Sequence, residues 1–346
     1  SNQFENQYSN HLLNLAVRTS RKKYNYNVGV DLEPQKSVSH SLLSDPPEEP
    51  LKRSVLNFSP TVNFRYKFSK RTRLQIVYRG KGRQPNVRDL QPVEDRTNPL
   101  NIRVGNPALK PSYTNTFTLN FNSYHTKRQR NIVASLLGGR VTTPMNMNGN
   151  WRALGSFSLN TPFRNRSWIF RTYSYVQYRN QNGYTTLNRE EPMKSTVKHL
   201  TARERLQLTY RTRQVEITGF AGLLYNNSYN NVGEKRTETY DYQIGTQLQL
   251  YLPWGVELYT DLTYFIREGY DYEGNARENF MWNSQLSKAF LKKKQLLIRF
   301  KIYDILHQDI SLVRTITPSA IRDVDYNALG SYFMVHVILR LNLMGH

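Results

Sequence analysis

The residue types that most often carry chemistry are thinly spread along this chain. Cysteine is absent, which excludes a disulfide framework, a thiol nucleophile and a thiolate metal site. The histidines show neither an HExxH motif nor a paired spacing suited to a metal ion. They occur at positions 11, 40, 125, 199, 307, 336 and 346. The sequence therefore predicts no metal centre and no cofactor.

Three other groups invite a chemical interpretation and favour a plainer one. The Gly80-Lys81-Gly82 run lacks the strand-to-helix context of a phosphate loop and is typical of a loop tip. The Glu190-Glu191 pair stands beside a proline in a polar segment, which favours solvated side chains. Glu257 and Asp261 share one face of a predicted strand; a catalytic carboxylate pair is conceivable, but a hydrated interior pair is favoured. We predict that the protein is not an enzyme.

Most of the chain alternates strictly between apolar and polar residues. The stretch from Leu74 to Phe121 shows the repeating unit, in which two alternating runs flank a long polar segment rich in proline. Mean hydropathy is −0.67, and no run approaches the roughly eighteen apolar residues of a membrane helix. A transmembrane barrel keeps mean hydropathy low, because only every second residue faces lipid.

The length and connection of these runs predict the fold class. About fifteen strands are expected, mostly about ten residues long, which suits a tilted bilayer crossing better than the five to six residues of ordinary strands. Short connections near 20–23, 67–71, 126–130, 161–167, 211–214, 252–255 and 291–294 alternate with long ones at roughly 31–53, 80–112, 137–150, 180–198, 227–239, 267–279 and 307–330. The pattern predicts an all-β, transmembrane, antiparallel up-and-down β-barrel with short periplasmic turns.

The four tryptophans and the strand count extend this prediction. Trp151 and Trp282 follow long connections, whereas Trp168 and Trp254 lie at short turns, as aromatic girdles at both membrane interfaces require. An odd number of strands would start the chain outside the cell, whereas closed barrels normally have an even number. We therefore expect an odd number of strands upstream, in a longer gene product.

The net charge of +22 allows two interpretations. It could serve nucleic-acid binding, which needs one continuous basic surface with stacking aromatics. The basic residues instead concentrate at the short turns, where they can act as anchors at the lipid headgroup level and form a ring around the periplasmic mouth. They are Arg21, Lys22, Lys23, Lys67, Lys70, Arg71, Lys127, Arg128, Arg130, Arg164, Arg166, Arg211, Arg213, Lys292, Lys293 and Lys294.

Several motifs resemble one known family. Asn106-Pro107 followed by Leu109-Lys110-Pro111 is similar to an NPxLKPE segment, with Ser112 in place of the acid. Met145–Trp151, Tyr251–Trp254, Tyr303–Leu306 and Ser331–Met334 are also in the family style. Over nearly the whole chain the sequence resembles the C-terminal barrel of the outer-membrane β-barrel proteins of Bacteroidota, which are similar to TonB-dependent receptors. The segment near Leu137-Gly138-Gly139 is shorter than the family pattern.

The resemblance implies the domain organisation and the partners. Such receptors have barrels of about 22 strands with an N-terminal plug domain and a TonB box. Residues 1–346 would then be the C-terminal part of one barrel domain, with about seven strands and the plug upstream. The implied partners are outer-membrane lipids and lipopolysaccharide, the plug, TonB, and a surface lipoprotein or other envelope protein.

Two residue sets are candidates for function. Alternation places a charged set inside the barrel, where its arginines could favour anions or contact the plug: Arg65, Arg171, Arg205, Glu257, Asp261, Arg299 and Arg340. The long, proline-stiffened connection 80–112 is the candidate for ligand or partner contact, although its NPALKP segment could equally fix the base of the loop. The candidate contacts there are Asn98, Pro99, Asn106, Pro107 and Lys110.

Three functions remain open from the sequence. The leading hypothesis is a TonB-dependent outer-membrane receptor that imports a bulky nutrient or metal chelate through a plug-gated lumen. The alternative is a plugless outer-membrane barrel that acts as a scaffold or assembly partner for other envelope proteins. A soluble basic nucleic-acid binder is the third hypothesis, and the position of the basic residues argues against a nucleic-acid partner.

Overall fold

The fold is described from a computed structural model of the 346-residue chain. The structure describes residues 4–41, 51–85, 90, 94–95, 103–104, 106, 108–143, 147–185, 193–232, 235–270, 278–291, 295–308, 312–316, 321–325 and 330–339. Within these ranges no helix is both long and apolar enough to cross a membrane.

The described residues form twenty strands. They are β1 (Phe4–Asn10), β2 (Leu13–Ser20), β3 (Tyr24–Ser41), β4 (Leu51–Lys67), β5 (Thr72–Arg83), β6 (Glu94–Asp95), β7 (Arg103–Val104), β8 (Ser112–His125), β9 (Arg130–Thr143), β10 (Met147–Pro162), β11 (Trp168–Thr185), β12 (Met193–Arg211), β13 (Val215–Asn230), β14 (Lys235–Leu252), β15 (Val256–Glu268), β16 (Glu278–Phe290), β17 (Leu296–Tyr303), β18 (Leu312–Ile316), β19 (Ile321–Asp325) and β20 (Tyr332–Leu339).

Sixteen of these strands belong to one antiparallel sheet. The order is β1-β3-β4-β5-β8-β9-β10-β11-β12-β13-β14-β15-β16-β17-β20, with β2 also paired to β3, so neighbours in sequence are neighbours in the sheet. The small pairs β6–β7 and β18–β19 lie within the connections that follow β5 and β17. The prediction of an all-β, up-and-down antiparallel architecture is confirmed, and the total of about 22 strands stays a prediction.

Strands β1 and β2 are one interrupted strand. Both pair with β3 in a single register, from Phe4 opposite Ser41 to Ser20 opposite Asn25. The interruption lies opposite Pro34, which has no N–H to donate to the ladder. One backbone hydrogen bond remains at this point, from the His11 N–H to the Pro34 carbonyl at 3.2 Å. The sixteen strands therefore fill fifteen places in the sheet, which agrees with the predicted count.

Several strands continue well into segments predicted to be long connections. Strand β9 extends through the expected 137–150 loop to Thr143, and β10 begins at Met147. Strands β13 and β14 pair up to Asn230 and Lys235 inside the expected 227–239 loop. Both loop predictions were wrong. In the β13–β14 hairpin the end is polar on both faces, which hides the alternation while the backbone ladder continues.

The chain divides into two compact units. The first comprises Ser1–Asn122, Ser135–Leu154 and Arg179–Thr196, and the second comprises Ser123–Ala134, Gly155–Tyr178 and Val197–His346.

In the second unit, one face of the sheet is apolar and exposed while the other is polar and more buried. Val337 is 68% exposed and pairs with Ile298 on the neighbouring strand, whereas Ser287 is 3% and Thr209 0% exposed. Water-soluble proteins show the opposite distribution, because burying apolar surface drives their folding. An apolar outer face of this kind is stable when its surroundings are lipid.

The first unit repeats the arrangement. Leu15 and Val17 on β2 are exposed and lie opposite Val30 and Val28 on β3, while Asn57 on the other face is buried. The backbone groups pair along each ladder, so the strands can cross a medium without water. The outer face is the side that carries the exposed apolar residues, and the inner face is the side that carries the polar ones.

The two faces predict different responses to a new charge. Leu262 on the outer face lies opposite Trp282, and Gln247 on the inner face lies opposite Asp261. We expect Leu262→Arg to destabilise the protein by about 2–4 kcal/mol in a bilayer. The matched variant Gln247→Arg should change stability by less than about 0.5 kcal/mol, since the new guanidinium can reach Asp261. Urea unfolding in lipid vesicles measures both, and equal losses would contradict the assignment of the faces.

Candidate functional site: the polar inner face

Arg205 on β12 is held against the inner wall by its neighbours. Its guanidinium carbon lies 4.5 Å from the centroid of the Phe220 ring on β13, and its Nη1 donates to Gln243 Oε1 on β14 at 3.5 Å. The Phe220 ring lies over Gly245, where a Cβ atom would come within 2.4 Å of the ring. Glycine at this position therefore lets the phenyl ring lie flat beneath the arginine.

Glu257 and Asp261 lie on the inner side of β15, but they do not form a carboxylate pair. Gln249 Nε2 donates to Glu257 Oε1, and Asn283 Nδ2 donates to Asp261 Oδ2 at 3.0 Å. Four residues along a strand span about 13 Å, which exceeds the separation of carboxylates that act together on one bond. The geometry favours two separate acids, each bonded to an amide of a neighbouring strand.

The remaining candidate arginines lie at different heights of the inner face. In the first unit, Arg65 pairs across the strands with Asn25 and Gln75. In the second unit, the pKa of Glu216 is lowered mainly by its hydrogen bonds to Arg211 and to a smaller extent by the charge of Arg171. Arg299 lies opposite Ser287 and His336. Arg340 is outside the described residues. A lining role for the whole set stays a prediction.

The first unit carries a ladder of polar side chains down its inner face. Asn10 and Gln35 each donate to Glu33 Oε1, at 2.6 and 3.0 Å, and Asn14 donates to Asp31. Nearer the short turns, the bonds are Arg18 Nε to Asn27 Oδ1 and Gln75 Nε2 to Asn63 Oδ1, both at 3.3 Å. The ladder offers amides, carboxylates and guanidinium groups to a polar solute.

A cavity of about 360 Å³ lies at the end of this ladder that is farthest from the short turns. Two pairs of directly opposed residues on β3 and β4 line its wall. They are Ser37 with Arg53 and Gln35 with Val55. Leu90, which is buried, lies at the same cavity. The mixture of amide, hydroxyl and apolar groups can accommodate a small polar solute.

Arg53 also anchors the connection between β5 and β8. Its Nη2 donates to the carbonyl of Leu109, whose side chain is only 8% exposed. Asn106 closes a local turn, because its Oδ1 accepts from the Ala108 N–H at 2.9 Å and its carbonyl accepts from the Leu109 N–H at 3.2 Å. These contacts show how the segment is held, and Lys110 beside it is exposed. Asn98, Pro99 and Pro107 lie outside the described residues, and ligand contact stays a prediction for all five.

Aromatic side chains mark both ends of the apolar band on the outer face of the second unit. At the short turns, the Trp168 and Tyr210 rings are 4.9 Å apart, and Trp254 is 86% exposed. Towards the other strand ends, Tyr264 and Phe280 stack at 4.3 Å. Trp282 and, in the first unit, Trp151 are exposed as well. Placement at a membrane interface stays a prediction for the four tryptophans.

An ion pair closes the turn between β12 and β13. Arg211 donates from Nε and Nη2 to the two carboxylate oxygens of Glu216, at 2.6 and 2.8 Å. These hydrogen bonds hold the pKa of Glu216 below its usual range, although partial burial opposes the shift. Arg211 is exposed at the edge of the sheet, as are Arg21, Lys67 and Arg166 at other short turns.

Pairing across strands brings together residues that the sequence does not connect. Arg299 and His336 are 37 positions apart in sequence yet directly opposite. Phe220, 15 positions from Arg205, supports its guanidinium. Only the strand register carries this information, and no local motif signals it. In the described ranges, no group of three or more His, Asp or Glu side chains is arranged to hold a metal ion.

The Arg53 anchor predicts faster local opening when it is removed. We expect Arg53→Gln to raise amide hydrogen exchange at residues 108–110 about tenfold, because one charge-assisted hydrogen bond is lost. Lys52→Gln, an adjacent exposed position, is the matched control and should leave exchange unchanged. Unaltered exchange in Arg53→Gln would contradict the anchoring role.

The lowered pKa of Glu216 predicts a dependence of stability on pH. Its contribution is complete above the unfolded-state pKa of about 4.3 and is lost as pH falls through the lower folded-state value. We expect Glu216→Gln to cost about 0.2–1 kcal/mol at pH 7 and progressively less below pH 4.3. Arg213→Gln in the same turn should show no such dependence. Urea unfolding at several pH values measures the stability of each variant and of the unchanged protein. A stability difference for Glu216→Gln that stays constant with pH would refute the prediction.

The chain is similar at low sequence identity to solved outer-membrane proteins. OmpT of Vibrio cholerae, an outer membrane protein in its trimer form, is 11% identical, with 98% of this chain and 99% of that chain covered and a TM-score of 0.37. The β domain of the Bordetella autotransporter BrkA is 12% identical, with 81% and 88% covered and a TM-score of 0.21. No curated protein matches the chain.

The family comparison covers almost the whole sequence. The model of the outer membrane protein beta-barrel family matches residues 1–335. That match agrees with the antiparallel up-and-down sheet and with its exposed apolar face. It places the protein in the bacterial outer membrane. The chain belongs to the outer membrane protein β-barrel family.

Proposed function

We propose that the chain is the barrel portion of a TonB-dependent outer-membrane receptor that imports a bulky nutrient or metal chelate through a plug-gated lumen. The observation that carries the proposal is the inner face, which presents charged and amide side chains along the whole strand length. Examples are the ladder of polar side chains around Glu33 in the first unit and Arg205, Asp261 and Arg299 in the second. A polar wall suits a path for water-soluble cargo.

In this mechanism the connections at one end of the sheet capture the ligand outside the cell. TonB then acts on a plug domain, and the cargo moves along the polar inner face. The cavity beside Arg53 and the anchored segment around Leu109 lie at that end, where the first contacts would form. The receptor uses binding and gating and performs no covalent chemistry.

The proposed partners follow from the two faces. Outer-membrane lipids and lipopolysaccharide contact the apolar outer face, and the plug, moved by TonB, contacts the polar inner face. A surface lipoprotein or another envelope protein would meet the outer connections. The basic turn residues serve as headgroup anchors, and nucleic acid is not a partner.

The proposal predicts a plug that blocks current. We expect the coding sequence upstream of Ser1 to specify a plug domain and a TonB box. In planar bilayers the full-length product should be nearly closed, and a plug-deleted variant should conduct at least about tenfold more, because the lumen of a large barrel is then open. Purified TonB periplasmic domain should bind the full-length product and lose binding when the box is deleted.

Three results would overturn the proposal. An upstream sequence with no plug, together with no TonB binding, would favour the plugless scaffold. Equal conductance with and without the plug domain would contradict gating. Recovery in the aqueous fraction without detergent, with salt-sensitive retention on DNA, would instead indicate a nucleic-acid binder.

A further inference from the structure

Three strands of the second unit place hydrogen-bond donors side by side on the inner face. Arg299 on β17 lies directly opposite Ser287 on β16 and directly opposite His336 on β20. Side chains that face each other in this way have Cβ atoms about 4.5–5.5 Å apart. Ser287 is 3% exposed, so the row is embedded in the wall.

Among the residues that the structure describes, two nitrogen atoms in this row find no hydrogen-bond partner. Arg299 Nε and His336 Nε2 are both buried, and neither is bonded to another group in the part of the chain that the structure describes. Buried polar groups are nearly always paired, so two neighbouring exceptions call for a ligand or another explanation. Arg299 Nε can only donate, and protonated His336 donates from Nε2 as well.

The surroundings add positive charge and further donors. Lys301, one step along the same face, lies opposite Gln285, and its Nζ donates to the Tyr303 hydroxyl at 3.1 Å. Gln285 Nε2 donates to Ser287 Oγ at 3.4 Å. The carboxylate on this row is Glu257, two strands from Arg299 and already bonded to Gln249. Arg299 and Lys301 stand two residues apart on β17 and place two positive charges on the same face, which an anion beside them would balance.

We propose that Ser287, Arg299 and His336 form a binding site for a small oxyanion, a carboxylate or a phosphate. One oxygen of the anion accepts from Arg299 Nε and another from His336 Nε2, and Ser287 Oγ completes the donor set. Lys301 attracts the anion to the wall. Planar guanidinium groups suit carboxylate and phosphate because both offer oxygens in matching geometry.

If the site serves transport, the imported cargo carries an acidic group. That part of the inference rests on the proposed function. The site itself stands on the register of three strands and does not require a plug. Absence of TonB binding would leave an anion site intact, and absence of anion binding would leave gating intact. The two proposals therefore fail separately.

The test is a titration of the full-length protein in maltoside micelles, whose headgroups carry no anion. Inorganic phosphate and citrate are added at constant ionic strength, and calorimetry gives the affinity. Nitrogen-15 spectra of the arginine Nε–H groups locate the contact, with Arg299 assigned through Arg299→Lys. We expect the Arg299 signal to move with the same affinity that calorimetry measures.

Variants separate the site from general attraction to a basic protein. Arg299→Gln should weaken binding at least about tenfold, and His336→Gln about threefold or more. Arg213→Gln is the control, because that arginine is exposed at the turn between β12 and β13, outside this row, and it should leave the affinity unchanged. Thermal unfolding of each variant checks that the barrel is intact.

Three results would overturn the proposal. The first is no heat and no movement of the Arg299 signal with either anion. The second is equal loss of affinity in Arg213→Gln and Arg299→Gln, which would indicate diffuse attraction. The third is an Arg299 signal that phosphate cannot shift because a carboxylate of the same polypeptide already occupies the row.

Discussion

Every feature of this protein depends on one constraint, which is that a strand in lipid must satisfy its backbone hydrogen bonds without water. Antiparallel pairing between sequence neighbours meets that requirement across the described sheet. The side chains then divide by alternation, with Val337 and Ile298 on the outside and Ser287 on the inside. Once the ladder is fixed, the outer face is constrained to be apolar, and the inner face is left free for polar groups that bind or guide a solute.

Much of this architecture follows from the sequence, since period-two alternation survives wherever one face meets lipid. The strand containing Leu258 and Leu262 is an example, and its polar neighbours Glu257 and Asp261 lie on the opposite face from these leucines. The prediction fails where both faces meet water, because no alternation remains to be seen. The hairpin that pairs Asn230 with Lys235 is polar on both sides, so its sequence predicts a loop where the structure has strand ends.

The site was less accessible to prediction than the fold. Alternation identifies Arg299 as an inner residue, but its neighbours depend on the register of β16 and β20. The sequence around His336 shows no metal-ligand spacing and gives no other sign of a site, and Ser287 carries no sequence signal at all. A shift of one residue in pairing would put each of these side chains on the other face, so the apolar band strongly specifies the register. The sequence of a single strand, however, does not show which residues lie opposite it.

The most direct test of a sheet with one face in lipid is whether the surroundings of the side chains alternate between lipid and water along one strand. Because the chain has no cysteine, single cysteines can be introduced and spin-labelled without a background. Labels at residues 258, 259, 261 and 262 of β15, in lipid vesicles, should show oxygen access at 258 and 262 and access to a water-soluble nickel reagent at 259 and 261. Uniform access to the nickel reagent at all four positions would contradict a sheet with one face in lipid.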